Sequence, residues 1–279
     1  MAEYDSIAGA LSRGSMLLQH LQTGRRDAEL LLMGAIGCDR TYLLAHPEAK
    51  LTPQQKQRYK GWLIRRAWHE PVQYILGEQE FFGLTFRVTR DVLIPRPETE
   101  HLVEAVLSRV DRNAPLRIAD VGTGSGAVAV ALACALPNAR LVASDISPAA
   151  LEVAQGNAER HGVARRMEFL ESDLLTAAAA QSFDLIVSNP PYVPEDELLE
   201  RQVRDFEPAS ALYAGQGGLD VYRRLVPQAL AALKPGGWLL MEIGHGQRNA
   251  LTGMLTSWED VSFVDDLQGI PRVACARRC

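Results

Sequence analysis

The chain has 279 residues, with 47% hydrophobic and 23% charged, enough for one large and one small domain with buried cores, which excludes wholesale disorder. Its net charge of −5 divides unevenly: residues 1–75 hold 10 Lys/Arg against 7 Asp/Glu, and the remainder 19 against 27. The larger part therefore lacks the basic footprint of a protein that grips a long nucleic acid. Four cysteines (Cys38, Cys134, Cys275 and Cys279) form no C-x-x-C pair, so free thiols and no metal site are expected. No apolar run approaches the ~18 residues of a membrane span. The start, Met1-Ala2-Glu3-Tyr4-Asp5, is acidic where a leader would be basic, and a cytoplasmic protein with no membrane partner is expected.

Residues 1–75 read as helical. Leu11, Met16, Leu17, Leu18 and Leu21 recur near helical spacing. Asp27 looks like the cap of a buried helix beginning at Ala28, and Thr52-Pro53 like a second start, with proline at the first helical position. The helix after Pro53 carries Lys56, Arg58, Lys60, Arg65 and Arg66; the spacing suggests either a solvated basic face or a docking surface for a partner. Phe81–Val88 is rich in β formers, and with the short run Val92-Leu93-Ile94 it suggests a hairpin between two domains. Pro95 and Pro97 then break regular structure.

From about residue 100 strands and helices alternate. Strands are expected at 116–121, 140–144, 167–170, 183–188 and 238–243, with two more at 261–264 and 272–276. Helices are expected at 126–136, 148–161 and 221–233. This alternation predicts an α/β domain with a parallel sheet covered by helices, and the two late strands predict one antiparallel edge.

Gly122-Thr123-Gly124-Ser125-Gly126 stands where the first strand of this part meets its first helix. Glycines there let the backbone pass close to a ligand at the strands' carboxyl ends. Asp145 closes the next strand, placed to accept hydrogen bonds from a ribose. The loop alone fits either a dinucleotide or S-adenosylmethionine; Asp120 just before it suits the ammonium of the latter.

Asn189-Pro190-Pro191-Tyr192 decides between them. Two prolines fix φ and remove two N–H donors, which leaves a stiff loop with unpaired carbonyls. An amide or aromatic amine nitrogen has a delocalised lone pair and is a poor nucleophile. The Asn189 oxygen and the Pro190 carbonyl can accept its two N–H groups, and Tyr192 can pack against a planar target. These residues point to methyl transfer onto a planar nitrogen, without choosing between a base and an amide.

The chain resembles the protein-(glutamine-N5) methyltransferases of the PrmC/HemK family. The resemblance spans nearly the whole length. Beyond the tetrapeptide it is carried by residues 70–77 (EPVQYILG), 82–88 (FGLTFRV) and 92–100 (VLIPRPETE). Glu207-Pro208, Ala211-Leu212 and Gly217-Gly218-Leu219-Asp220 match as well. It implies a helical docking domain at 1–76, a β-hairpin linker at 77–97, and a seven-stranded Rossmann-like class I methyltransferase domain at 98–279. It implies that S-adenosylmethionine is held by Gly122, Thr123, Gly124, Ser125, Gly126, Asp145, Leu174 and Asn189. Leu174 stands where some relatives have an aromatic residue. Asn189 and Pro190 are the expected catalytic residues, and with Pro191 and Tyr192 they are the expected substrate pocket. The implied substrate is the glutamine of the Gly-Gly-Gln loop of class 1 release factors, acted on by a monomer with no direct nucleic-acid contact. The alternatives are a ribosomal-protein glutamine methyltransferase, an adenine-N6 or guanine-N2 methyltransferase of nucleic acid, and a non-enzymatic binding module.

Overall fold

A computed structural model describes residues 5–279; the acidic start Met1–Tyr4 lies outside them. In the N-terminal part the helices are α1 (Ile7–Leu17), α2 (Gly24–Ile36), α3 (Arg40–Ala45), α4 (Pro53–Ala67) and α5 (Val72–Leu76). Ser6, Asp39 and Thr52 open α1, α3 and α4, and each accepts the backbone N–H of the third residue on, satisfying a donor the helix leaves unpaired. Pro53 takes the first helical position, as the sequence predicts, and the Gln55 side chain returns the bond to Thr52. Leu18, Leu31, Leu32, Tyr59 and Leu63 close the core of this unit without exposure.

Two expectations for these helices change. Asp27 does not cap α2; the helix begins three residues earlier, and Asp27 lies buried in its first turn. Its carboxylate accepts from Thr23 Oγ1 at 2.8 Å and from Arg66 Nε at 2.7 Å. The basic face of α4 is also largely committed within the chain. Arg66 is buried and reaches the carbonyls of His69 and Glu70. Arg65 grips both oxygens of Glu70, at 2.7 and 2.8 Å. Lys56 pairs with Asp5, and Arg58 lies over the Trp62 ring. A buried arginine cannot serve as a docking charge.

The chain divides into two compact units. Residues up to Gly77 form one together with Glu200–Phe206, which contains the short helix α9 (Arg201–Arg204). Glu78–Leu199 and Glu207–Cys279 form the other. The second unit begins with a hairpin of β1 (Glu78–Phe81) and β2 (Leu84–Arg87). Only β2 falls within the expected run Phe81–Val88; β1 is mostly the polar stretch before it and meets the run at Phe81, and Val92-Leu93-Ile94 is irregular and forms no strand. Phe81 and Phe86 are buried in this unit's own core. Asn157 exchanges two hydrogen bonds with the Arg87 backbone, and the Phe82 N–H donates to Glu100 at 2.8 Å.

Next come α6 (Glu100–Leu107), β3 (Arg117–Val121), α7 (Ala127–Ala135), β4 (Arg140–Asp145), α8 (Pro148–Arg160), β5 (Met167–Glu171) and β6 (Phe183–Ser188). Beyond α9 follow α10 (Asp220–Ala232), β7 (Leu233–Glu242), α11 (Arg248–Met254), β8 (Glu259–Asp265) and β9 (Pro271–Arg277). The expected seven-stranded sheet is present, in the order β5-β4-β3-β6-β7-β9-β8. Its first five strands are parallel. On β3, Ile118 belongs to one core layer while Ala119 and Val121 belong to the other, the two-residue period of a strand covered on both faces. The expected antiparallel edge is present, formed by the last two strands. The antiparallel strand is β9, which pairs with β7 on one side and β8 on the other. The edge strand β8 runs with the parallel set, because the short turn after it folds β9 back inside.

Candidate active site

Strand β3 pairs with β4 on one side and β6 on the other, all parallel. The chain moves outward through β4 and β5 and then crosses to β6. Loops leaving the carboxyl ends of β3 and β6 therefore diverge, and a crevice opens between them. A cavity of about 270 Å³ lies there. Residues 122–125, Asp145, Leu174, Asn189 and Pro191 line it. Of the other residues expected in the site, Gly126, Pro190 and Tyr192 do not.

The loop after β3 is held from behind. The N–H groups of Gly122 and Thr123 both donate to the Ser144 carbonyl at 2.9 Å. The Gly124 N–H donates to Asp145 Oδ2 at 2.8 Å, and the Ser147 N–H to Asp145 Oδ1 at 3.0 Å. Each carboxylate oxygen keeps a lone pair for a ligand. A Cβ on Gly122 or Gly124 would meet no protein atom within 4 Å, so a side chain there would fill the cradle. Gly126 differs: at φ +78° a Cβ would stand 3.0 Å from Ala154 Cβ. It lets α7 start against α8 rather than touching the cavity.

Asp120 lines the cavity and is 2% exposed. Burial pushes its pKa up to about 6, partly offset by hydrogen bonds from the Thr123 hydroxyl and the Ala129 N–H. Leu174 sits in the left-handed region at φ +55°, a conformation that costs a non-glycine residue on the order of 1 kcal/mol or more. Its apolar side chain lines the cavity.

The tetrapeptide begins where β6 ends. Asn189 Nδ2 donates to Thr99 Oγ1 at 3.0 Å, which leaves Oδ1 for the cavity it lines. Tyr192 turns its hydroxyl inward and donates to Glu242 Oε1 at 3.2 Å. Its pKa is driven above the ordinary phenol range by burial first, and by Glu242 next. The ring is thus anchored within the protein rather than lining the cavity. Gln247 Nε2 bonds the Tyr192 carbonyl at 3.0 Å. Gly218 passes the same carbonyl so closely that a Cβ would stand 2.1 Å from it.

A second tie closes the cavity wall. Glu207, buried, accepts the Ile94 N–H at 3.1 Å and Arg96 Nη2 at 2.5 Å. It joins two segments 113 residues apart, of which Leu93, Pro95 and Pro208 line the cavity. Sequence reasoning quoted Arg96 and Glu207 without pairing them, and it passed over Thr99 and Glu242 as site residues. Glu242 did carry a signal, being the lone charge in the apolar strand around residues 238–243.

Comparison with known proteins agrees with this arrangement. The family model described as the PrmC N-terminal domain matches residues 9–77, and the one described as the methyltransferase small domain matches residues 99–219. Among solved structures, a ribosomal protein L11 methylase from Lactobacillus delbrueckii subsp. bulgaricus covers 72% of this chain and 89% of its own, with a TM-score of 0.50 and 22% identity. A 16S rRNA N2 methyltransferase of T. thermophilus, in complex with AdoMet and guanosine, covers 72% of this chain and 50% of its own, with a TM-score of 0.55 and 21% identity. At such identities these two share the fold alone. Curated relatives are far more similar. A release factor glutamine methyltransferase of Koribacter versatilis is 48% identical over 269 residues, 94% of this chain and 95% of that one. The one from Geobacter sulfurreducens is 45% identical over 270 residues, covering 95% and 94%. With identities this high across both units and the cavity residues on the page, the chain belongs to the release factor glutamine methyltransferase family.

Proposed function

We propose that the chain transfers a methyl group from S-adenosylmethionine to the side-chain amide nitrogen N5 of the glutamine in the Gly-Gly-Gln motif of class 1 release factors. The observation that carries the reading is the commitment of Asn189 Nδ2 to Thr99. It leaves the Asn189 oxygen as an acceptor at the cavity, which is what an amide N–H donor needs.

The residues fit the cofactor. The open cradle at Gly122 and Gly124 admits its backbone-facing part, and Asp145 takes the ribose hydroxyls. Asp120 lies where a ligand ammonium gains most from a buried carboxylate. Leu174 offers an apolar surface to the adenine. Bound S-adenosylmethionine supplies an electrophilic methyl carbon on a sulfonium. Asn189 Oδ1 accepts one N–H of the target amide, and the Pro190 carbonyl, which stands behind the cavity lining, accepts the other once the substrate is seated, holding its nitrogen pyramidal with the lone pair toward the methyl. Positioning of this kind replaces a general base before transfer, and one N–H proton leaves to solvent afterwards. Pro191 lines the cavity beside Asn189 and narrows the entry to a planar group. Tyr192 stiffens the loop from behind.

The helical unit, residues up to Gly77 with Glu200–Phe206, acts as the docking domain for the protein substrate, and the other unit, hairpin included, acts as the transferase. The protein works as a cytoplasmic monomer without direct nucleic-acid contact. Among the described residues no helix is long and apolar enough to cross a membrane. Mass spectrometry of a release factor incubated with the enzyme and labelled cofactor tests the reading. One methyl on the Gly-Gly-Gln peptide is expected. Label persisting after that glutamine is replaced would overturn it.

A further inference from the structure

We infer that Gln247 is a positioning residue for methyl transfer: its side-chain amide clamps the carboxyl end of the tetrapeptide and so fixes the groups that receive the target amide. This rests on the reading of Asn189 and Pro190 given above. Gln247 is buried, and its amide is fully committed. Oε1 accepts the Gly244 N–H at 2.9 Å, and Nε2 donates to the Tyr192 carbonyl at 3.0 Å and to the Gly218 carbonyl at 3.2 Å. One oxygen meets one N–H, and the two hydrogens of the NH2 meet two carbonyls. The partners themselves therefore dictate which end of the amide faces which way. Glutamate has the same shape, but ionised it has no donor and would set an anion against both carbonyls.

The three partners come from three separate loops. Tyr192 follows β6, Gly244 follows β7, and Gly218 precedes α10. The packing around the amide leaves no slack. A Cβ on Gly218, at φ +67°, would stand 2.1 Å from the Tyr192 oxygen and 2.9 Å from Gln247 Nε2. One on Gly244 would stand 2.9 Å from Gln247 Oε1 and 3.0 Å from Tyr192 Cδ2. Gly218 in the Gly217-Gly218-Leu219-Asp220 run is thus the residue that lets carbonyl and amide meet.

The clamp reaches the chemistry by a short, stiff path. Asn189 is held by Thr99, and Tyr192 by Gln247. Between them the rings of Pro190 and Pro191 fix φ. With both ends held and two dihedrals fixed, the Pro190 carbonyl has little freedom to turn. The same order continues into the cavity wall. The Val193 N–H donates to the Leu212 carbonyl and the Val193 carbonyl accepts the Ala214 N–H, both at 2.9 Å. Tyr213, between those two, lines the cavity. Gln247 does not line it and acts through these neighbours.

The test is methylation of a release factor by the full chain, with kcat and KM separated and the Kd for S-adenosylmethionine measured alongside. Gln247→Glu lowers kcat by roughly tenfold to a hundredfold, with cofactor Kd and release-factor KM within a few-fold of wild type. Gln247→Met, similar in length and uncharged, shows the same split. A merely structural role would not couple to Asn189. On an Asn189→Ala background Gln247→Glu costs several-fold less than it does alone, because a group it positions is already gone. Wild-type kcat in either variant, losses that multiply in full in the double variant, or a rise in cofactor Kd as large as the fall in kcat overturns this inference alone. A wild-type enzyme that leaves release factors unmodified overturns the substrate reading and this inference with it.

Discussion

Asp145 Oδ2 receives the Gly124 N–H at 2.8 Å, so the carboxylate at the end of β4 and the glycine loop after β3 form one body. Removing the carboxylate costs more than its own bonds to a ligand, because the loop loses its brace. Asp145→Ala is expected to weaken S-adenosylmethionine binding by two charge-assisted hydrogen bonds, about 3 kcal/mol or more. That corresponds to at least a hundredfold in Kd, readable by titration calorimetry. An unchanged Kd would place the ribose elsewhere.

Asn189→Ala separates binding from transfer. The side chain lines the cavity and is held by Thr99, while Asp145 and residues 122–125 remain intact. The expected outcome is a loss of kcat of roughly 10²–10³, the scale for one positioned polar group in a transition state, with cofactor Kd within a few-fold. Comparable losses in both would mean that Asn189 serves the cofactor first.

Arg66 and Asp27 meet at 2.7 Å with both side chains under a tenth exposed. Arg66→Ala leaves Asp27 buried without its cation, at a cost of about 3–5 kcal/mol. Arg65, with 42% of its side chain exposed, should cost far less. Thermal melts of the two variants decide it; equal stabilities would show that the buried pair is not a support of the helical unit. Charge reversal at Arg66 is for the same reason a test of folding and not of docking.

Burial raises the pKa of Glu242, with a stability consequence of definite sign. Its ordinary value is 4.5 and its folded value about 7. The folded state therefore binds the proton more tightly, and the stability this adds is complete below about pH 4.5 and lost as pH rises through about 7. Glu242→Gln carries no such dependence. Its melting temperature relative to wild type should rise between about pH 5 and pH 8, by an equivalent of at most about 3 kcal/mol. A difference that stays flat across that range would sink the assignment.

The parallel sheet was readable because the middle of a strand covered on both faces must be apolar, and residues 141–143 and 185–187 are. The glycine loop and tetrapeptide were readable because their chemistry lies in adjacent residues. The order of β8 and β9 was not, because insertion inside an edge strand leaves no mark on either strand's own pattern. Asp27 misled because an acidic residue before an apolar run looks like a cap. Only the approach of Arg66, 39 positions away, shows why it is buried.

The sequence by itself determined the reaction type, the cofactor class and the parallel strands of the sheet. These rest on local periodicity and on residues that act within a few positions of one another. Only the tertiary structure decided which end of Asn189 faces the cavity, that Tyr192 is anchored inward, and that Arg96 meets Glu207. Those relations join residues some 50 to 111 positions apart, and a hydrogen bond's polarity depends on a partner that the chain brings close only by folding.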